Sequence, residues 1–194
     1  MAPILEKQSA PPPAFVASLT GAFDEAQCLA LRDLIDLHQP EQGRVKAGYD
    51  PGVRRSAVSW LPETVEWDWV DKRLAALLAE ANREVFGFEL TGFEERLQIA
   101  RYEARRRGGF DWHGDRARSS LAAKRKLSIS VQLSEEAEYR GGQLELFADG
   151  RKWRAPRKRG TAIFFASFLS HRVTPVTEGV RHSLVGWAHG PDFR

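Results

Sequence analysis

Two stretches of the sequence hold the side chains best suited to chemistry: FDWHGDR at 110–116 and SHRVTPVTEGVRHS at 170–183. The first supplies His113 and Asp115, one residue apart. The second supplies His171, then Arg181 and Ser183. Two imidazoles and one carboxylate can take one face of an octahedral metal and leave the opposite face open, which is the ligand set of non-heme Fe(II) centres. On a strand, residues i and i+2 point the same way, so His113 and Asp115 are expected to share a face with Gly114 turned out. An H-x-D pair alone is a common coincidence. Its weight comes from His171 and Arg181 falling in an apparent β context downstream.

Arg181 and Ser183 are again i and i+2, so both are expected to face the interior of a β structure, with His182 pointing away. An inward guanidinium needs an anionic partner, because an unpaired buried charge is costly. It can hold a carboxylate bidentately while the serine hydroxyl donates one more bond. A metal site of net +1 together with Arg181 would balance a dianion, and the distal carboxylate of 2-oxoglutarate suits the arginine. Tyr102, upstream in LQIARYEARRRGGFDWHGD, is a second candidate for that carboxylate. The expectation is an Fe(II)- and 2-oxoglutarate-dependent dioxygenase, with His113, Asp115 and His171 on the metal and the remaining metal positions open to co-substrate and O₂.

Helices are expected first and strands after them. A helix is predicted from about Asp24, with Cys28, Leu31, Leu34 and Ile35 at helical spacing and Gln39-Pro40 and Gly43 closing it. Residues 41–56 read as loop and Ala57–Leu61 as a short strand. A longer helix is predicted from about Glu66 to Phe86, its apolar stripe running Val70, Leu74, Leu77, Leu78, Ala81 and Val85, with Gly87 at its end. Trp60, Trp67 and Trp69 are expected to pack in the core or anchor this helix. From Glu94 the period changes to two. Leu127, Ile129, Val131 and Leu133 alternate with Ser128, Ser130 and Gln132, as in a half-buried strand. Asp149-Gly150 is a two-residue hairpin signal, Thr161–Phe165 an apolar strand, and Leu184–Trp187 the last. The expected fold is mainly β with N-terminal helices, an all-β barrel or a double-sheet jelly roll. Residues 1–13, ending in three prolines, read as a flexible arm. Residues 14–194 read as one domain, with a helical buttress over about 24–90 and a β core over about 94–191.

The 194 residues are 42% hydrophobic and 28% charged, ordinary for a globular domain. No apolar run is long enough for a membrane-spanning helix, the N-terminus lacks the pattern of a secretory signal, and Cys28 is the only cysteine. A cytoplasmic protein without disulfides is expected. Net charge is +3. Basic residues crowd two runs, one from Arg101 to Lys126 around the His113/Asp115 pair and one from Arg151 to Arg159. They read either as a positive rim for an anionic substrate or as solvated surface balanced by carboxylates.

Over about residues 94–191 the chain resembles the prolyl-4-hydroxylase-like 2-oxoglutarate/Fe(II) oxygenases, bacterial hydroxylases among them. The resemblance rests on LQIARY, DWHGD, LSISVQLS, YRGGQLELF, FFASFLSHRVTPV and GVRHSLVGWAHGP. It implies a double-stranded β-helix (jelly roll) and His113, Asp115 and His171 as iron ligands. Arg181 stands where relatives carry the basic residue for the distal carboxylate. Tyr102 matches a co-substrate tyrosine, and Trp187 an aromatic on the last strand. The implied cofactors are Fe(II), 2-oxoglutarate and O₂, with ascorbate as reductant. The implied reaction is hydroxylation of a C–H bond with decarboxylation of 2-oxoglutarate to succinate.

A protein, peptide or small-molecule substrate is expected, peptidyl proline first by analogy alone. Residues 116–126 are a candidate lid over the open metal face, and Arg44, Lys46, Tyr49, Arg54 and Arg55 are candidate contributors from the N-terminal side. A nucleic-acid demethylase is a rival. Such relatives carry a second arginine six residues after the first, where this chain has Trp187, and nucleic acid is not an expected partner. A non-catalytic metal-binding or interaction module, or a zinc hydrolase, would leave Arg181 without a role.

Overall fold

Asp24 begins the first helix with a reciprocal cap. Its carboxylate accepts from the Gln27 amide while the Gln27 side chain accepts from the Asp24 amide. The computed structural model describes residues 12–37, 40–43, 50, 52–118 and 120–192. Residues 1–11 of the expected arm, and Arg44, Lys46 and Tyr49, lie outside the described residues. The elements run β1 (Val16–Leu19), α1 (Glu25–Leu37), β2 (Glu41–Gln42), β3 (Arg54–Arg55), β4 (Ala57–Trp60), α2 (Asp68–Ala81) and β5 (Gly92–Phe93). There follow β6 (Gln98–Glu103), β7 (Gly109–His113), β8 (Arg125–Gln132), β9 (Tyr139–Gly141), β10 (Leu144–Ala148) and β11 (Arg151–Arg154). Last come β12 (Ala162–Ala166), β13 (Ser170–Val173) and β14 (Val176–His189).

Among the described residues two antiparallel sheets form a jelly roll. The larger has the path β1-β12-β8-β14-β6-β4-β2, with β5 and β9 also paired to β14; the smaller has the order β11-β10-β13-β7-β3. The helices pack on the outer face of the larger sheet. Leu31, Leu34 and Ile35 of α1 and Val70, Leu74 and Leu77 of α2 join Ile99, Leu127, Ile129, Val131, Phe164 and Leu184 in one core. A second core lies between the sheets, with Ala100, Tyr102, Ile163 and Phe165 on one side and Leu144, Leu146, Trp153 and Val173 on the other.

This sandwiching overturns several expectations. β8 is buried on both faces, because helices cover its aliphatic side and the smaller sheet covers its serines. β14 runs for 14 residues, well beyond Leu184–Trp187. Its early part pairs with β9 and its later part with β6 and β8, and Gly179 with φ 68° absorbs the change. The presumed loop 41–56 contains β2 and β3, which pair with β4 and β7. The second helix passes into a π turn over Asn82–Phe86 before Gly87 ends it. That wider turn rotates later side chains backward, so Phe86 is buried while Val85 is 44% exposed. Trp67 and Trp69 pack against the helical core. Trp60 does not; it is 37% exposed at the end of β4.

The outer face of β14 also carries a buried histidine. His182 lies beside Ser134, whose hydroxyl is 3.2 Å from Nδ1. Burial, then the charges of Arg32 and Arg101, pushes its pKa down from 6.5 to about 3. Between those values the unfolded chain binds the proton and the folded chain does not. Stability should therefore fall by up to about 1.4 kcal/mol per pH unit as pH drops through this window. Urea denaturation of His182→Gln across the same range should show a shallower slope than the parent. An unchanged slope would count against the assignment.

Candidate metal centre

Cross-strand register brings the three expected ligands together. His113 on β7 and His171 on β13 are direct partners. Asp115 lies two residues past the end of β7, so its direction is set by loop bonds rather than by strand parity. Its backbone amide and that of Arg116 both donate to the Ser167 carbonyl, each at 3.0 Å. The potential ligand atoms of the three residues all lie within 4.8 Å of one another. His113 Nε2 is 3.7 Å from one Asp115 oxygen and His171 Nε2 is 3.5 Å from the other.

Each imidazole is fixed by the backbone. His113 Nδ1 donates to the Asp111 carbonyl at 2.7 Å and His171 Nδ1 to the Leu169 carbonyl at 3.1 Å. Both Nε2 lone pairs therefore face the carboxylate, the arrangement a metal requires. Phe110 stacks on His113 with ring centres 3.5 Å apart, and Phe165 meets His171 edge-on. Burial, then the neighbouring His171, pushes the His113 pKa down to about 4, so the ring is neutral near pH 7. Burial acts to raise the Asp115 pKa, but His171, His113 and the Ser128 hydroxyl hold it below the usual carboxylate range.

Ser128 and the residues behind it went unread in the sequence. Its hydroxyl donates to Asp115 Oδ2 at 2.6 Å and lies 3.0 Å from the Ser167 hydroxyl. Arg125 donates to the Asp115 carbonyl, donates two hydrogen bonds to the Glu95 carboxylate at 2.6 and 2.7 Å, and lies 3.8 Å over the Trp187 ring. Glu95 in turn accepts a hydrogen bond from His189 Nε2, whose ring Nδ1 accepts from the Glu94 amide. The one available signal was compositional. A strand whose polar positions are small and uncharged, Ser128 and Ser130, suits an inward wall better than a wet face.

Arg181, Ser183 and Trp187 share the inner face of β14 and, with Tyr102, line one cavity with the His–Asp–His triad. Arg181 is 1% exposed. Its Nη1 reaches Ser183 Oγ at only 3.5 Å, and its Nε and Nη2 have no hydrogen-bond partner among the described residues. The Tyr102 ring lies 5.5 Å from the guanidinium carbon. Two orphaned, buried donors on a cation call for an anion. The donor set therefore fits a diacid held between Arg181 and a metal on the triad.

Outside this cavity lies a cleft of about 690 Å³, bordered by Val58 and Trp60 on one side and Arg116, Arg118 and Arg125 on another. The candidate lid is partly structured. Ala117 donates to the Ala122 carbonyl, the Arg116 side chain holds the Ala123 carbonyl, and residues 121–124 form a 3-10 turn. Many other basic residues are paired. Arg101, Arg105 and Arg106 surround Glu103, and Arg159 meets Glu25. No helix among the described residues is long and apolar enough to cross a membrane.

Residues 97–189 match the model of the 2OG-Fe(II) oxygenase superfamily. A PKHD-type hydroxylase of Synechococcus sp. (strain CC9311) is 34% identical over 103 residues, 53% of this chain and 46% of that protein. Another, from Synechococcus elongatus, is 26% identical over 182 residues, 89% of this chain and 77% of that protein. The chain thus spans about half the length of the first of these relatives. In fold, it is similar to a Pseudomonas putida prolyl-4-hydroxylase, with TM-score 0.73, 21% identity and coverage of 92% and 94% of the two chains. It is also similar to a Trichoplax adhaerens prolyl hydroxylase in complex with a hypoxia inducible factor peptide fragment, with TM-score 0.76, 15% identity and coverage of 90% and 83%.

Proposed function

We propose an enzyme that hydroxylates a C–H bond with Fe(II) and 2-oxoglutarate, reading this from a chain whose residues 97–189 match the model of the 2OG-Fe(II) oxygenase superfamily. The observation that carries this is Arg181: a buried guanidinium with two unsatisfied donors, in the same cavity as the His–Asp–His triad. When bound, Fe(II), 2-oxoglutarate and O₂ supply the oxidation, giving succinate, CO₂ and a hydroxyl on the substrate. The chain's own work is to hold, orient and shield. His113 and His171 offer preset Nε2 lone pairs, and Asp115 is kept ionised and aimed by Ser128. Arg181 and Ser183 take the distal carboxylate, with Tyr102 as a further donor. Val185, Phe165 and Trp187 form apolar walls of the cavity and limit water at the reacting end. Ascorbate would serve to restore the ferrous state.

The substrate enters by the outer cleft, whose size suits a peptide segment. Peptidyl proline remains the first choice, supported by the two prolyl hydroxylases of similar fold and by the peptide bound to the Trichoplax one. Residues 14–194 would act as one domain, the helices stiffening the larger sheet beneath the site. A reducing, cytoplasmic setting is consistent with Cys28, a buried free thiol whose pKa is pushed up by burial to about 11.

Anaerobic titration tests the reading. Fe(II) plus 2-oxoglutarate should give a charge-transfer band that neither gives alone, and admitting O₂ should yield succinate. A protein that binds Fe(II) but develops no such band would contradict it, and would favour a metal-binding module without oxygenase chemistry.

A further inference from the structure

We propose that Gln132 is a further binding residue for the co-substrate, its side-chain amide donating to the carboxylate that Arg181 grips. This rests on the oxygenase reading above, and the test separates the two. The inner face of β8 carries three polar side chains in succession. Ser128 holds Asp115, Ser130 lines the cavity, and Gln132 comes next along the same face. Their partners on β14 are Trp187, Val185 and Ser183. The two strands therefore run side by side from the metal ligands to the hydroxyl beside Arg181, and Gln132 stands at that far end.

Gln132 is fully buried, yet neither its side-chain nitrogen nor its side-chain oxygen has a hydrogen-bond partner among the described residues. Thr161 is equally buried, and its hydroxyl is also unpartnered among them. The two are neighbours, since the Gln132 backbone amide donates to the Thr161 carbonyl at 2.9 Å. Arg181 lies diagonally across from Gln132 on the facing strand, a spacing that long side chains bridge, and its guanidinium leans toward Ser183. Five buried polar atoms thus stand unpaired in one corner: Nε and Nη2 of Arg181, both amide atoms of Gln132, and the Thr161 hydroxyl. Buried polar atoms are seldom left so.

One carboxylate resolves all five. Nε and Nη2 share one edge of the guanidinium, and both oxygens of a carboxylate can bond to that edge side by side. One of those oxygens keeps a lone pair for the Gln132 nitrogen. With the amide turned that way, its oxygen accepts from the Thr161 hydroxyl. Gln132 is uncharged, so it adds a bond to the distal carboxylate without upsetting the match between a dianion and the two positive charges of the site. Thr161 touches no ligand; it is a positioning residue that acts through the amide.

The test compares 2-oxoglutarate with 2-oxobutyrate, which keeps the 2-oxo acid and lacks the distal carboxylate. Affinity is read anaerobically, from the charge-transfer band of the Fe(II) protein and from calorimetric titration of the Mn(II) protein. Gln132→Met keeps the length of the side chain and removes the donor. It should weaken 2-oxoglutarate binding about 10- to 100-fold and leave 2-oxobutyrate binding unchanged. Thr161→Val should weaken 2-oxoglutarate binding about 2- to 10-fold when made alone and add nothing to Gln132→Met, because it acts only through the amide. Equal affinity of the parent and Gln132→Met for 2-oxoglutarate overturns the inference. So does an equal loss for both ligands, or loss of Mn(II)-dependent thermal stabilisation, either of which makes Gln132 a structural prop. If Gln132→Met does not fold, Thr161→Val decides: a loss confined to 2-oxoglutarate supports the inference, and unchanged affinity overturns it. Absence of the band in the parent protein would remove the oxygenase reading, and this inference with it.

Discussion

Asp115→Ala is expected to abolish succinate formation and metal-dependent stabilisation together, while leaving the fold in place. Asp115 is the only anion in the triad, and two neutral imidazoles alone hold a ferrous ion poorly. Loss of a partner behind a ligand typically costs about 10- to 100-fold in affinity or activity. Loss of the ligand itself should exceed that, and Ser128→Ala, which removes the hydroxyl on Oδ2, should fall within it. Without metal, Asp115 is a buried carboxylate that accepts from the Ser128 hydroxyl, so its removal should change stability by about 0.5–3 kcal/mol. In the parent, a divalent ion at 100 times its dissociation constant should stabilise by about 2.7 kcal/mol. Thermal melts with and without Mn(II) would read both effects. Metal-dependent stabilisation persisting in the alanine variant would place the metal elsewhere.

Arg181→Met should move affinity and stability in opposite directions. Removing the guanidinium leaves a dianion's distal carboxylate buried without its cationic partner, a loss of about 2–5 kcal/mol. The apparent KM for 2-oxoglutarate should therefore rise by about 30-fold or more, with kcat at saturation changed much less. In the absence of co-substrate, two orphaned donors on a buried cation disappear. Replacing such buried charge by an apolar group of similar size is often neutral or stabilising by about 1–4 kcal/mol. Denaturant melts of the apo protein and steady-state kinetics in 2-oxoglutarate would check the pair. An unchanged KM would contradict the assigned role.

What was legible in the sequence was whatever a strand's parity and a side chain's chemistry could carry alone. His113, Asp115 and His171 were readable as one candidate metal set, and the structure brings their ligand atoms within 4.8 Å of one another. Arg181, Ser183 and His182 were placed on their correct faces of β14 by counting in twos. The Asp149-Gly150 turn was also readable, since both residues have positive φ between paired Ala148 and Arg151. Features that depend on what covers a face were not. β8 gave the right alternation and the wrong environment, because no local signal says that its serine side meets a second sheet. Trp60 was assigned to the core on residue type, yet the cleft keeps it open. Arg54 could not be connected to the centre because only the β3–β7 pairing sets it against Phe110.

The backbone grip on Nδ1 of His113 and His171 has a consequence for which ion the pocket ends up holding. Because the rings are aimed beforehand, entering ions meet a socket with little left to rearrange, and nothing in an imidazole–carboxylate donor set favours iron over its neighbours in the periodic row. Affinity should climb from manganese through iron, cobalt and nickel to copper, with zinc also above iron. Tighter occupants would then act as inhibitors, and the ferrous form would depend on which ions the surroundings make available rather than on discrimination by the protein.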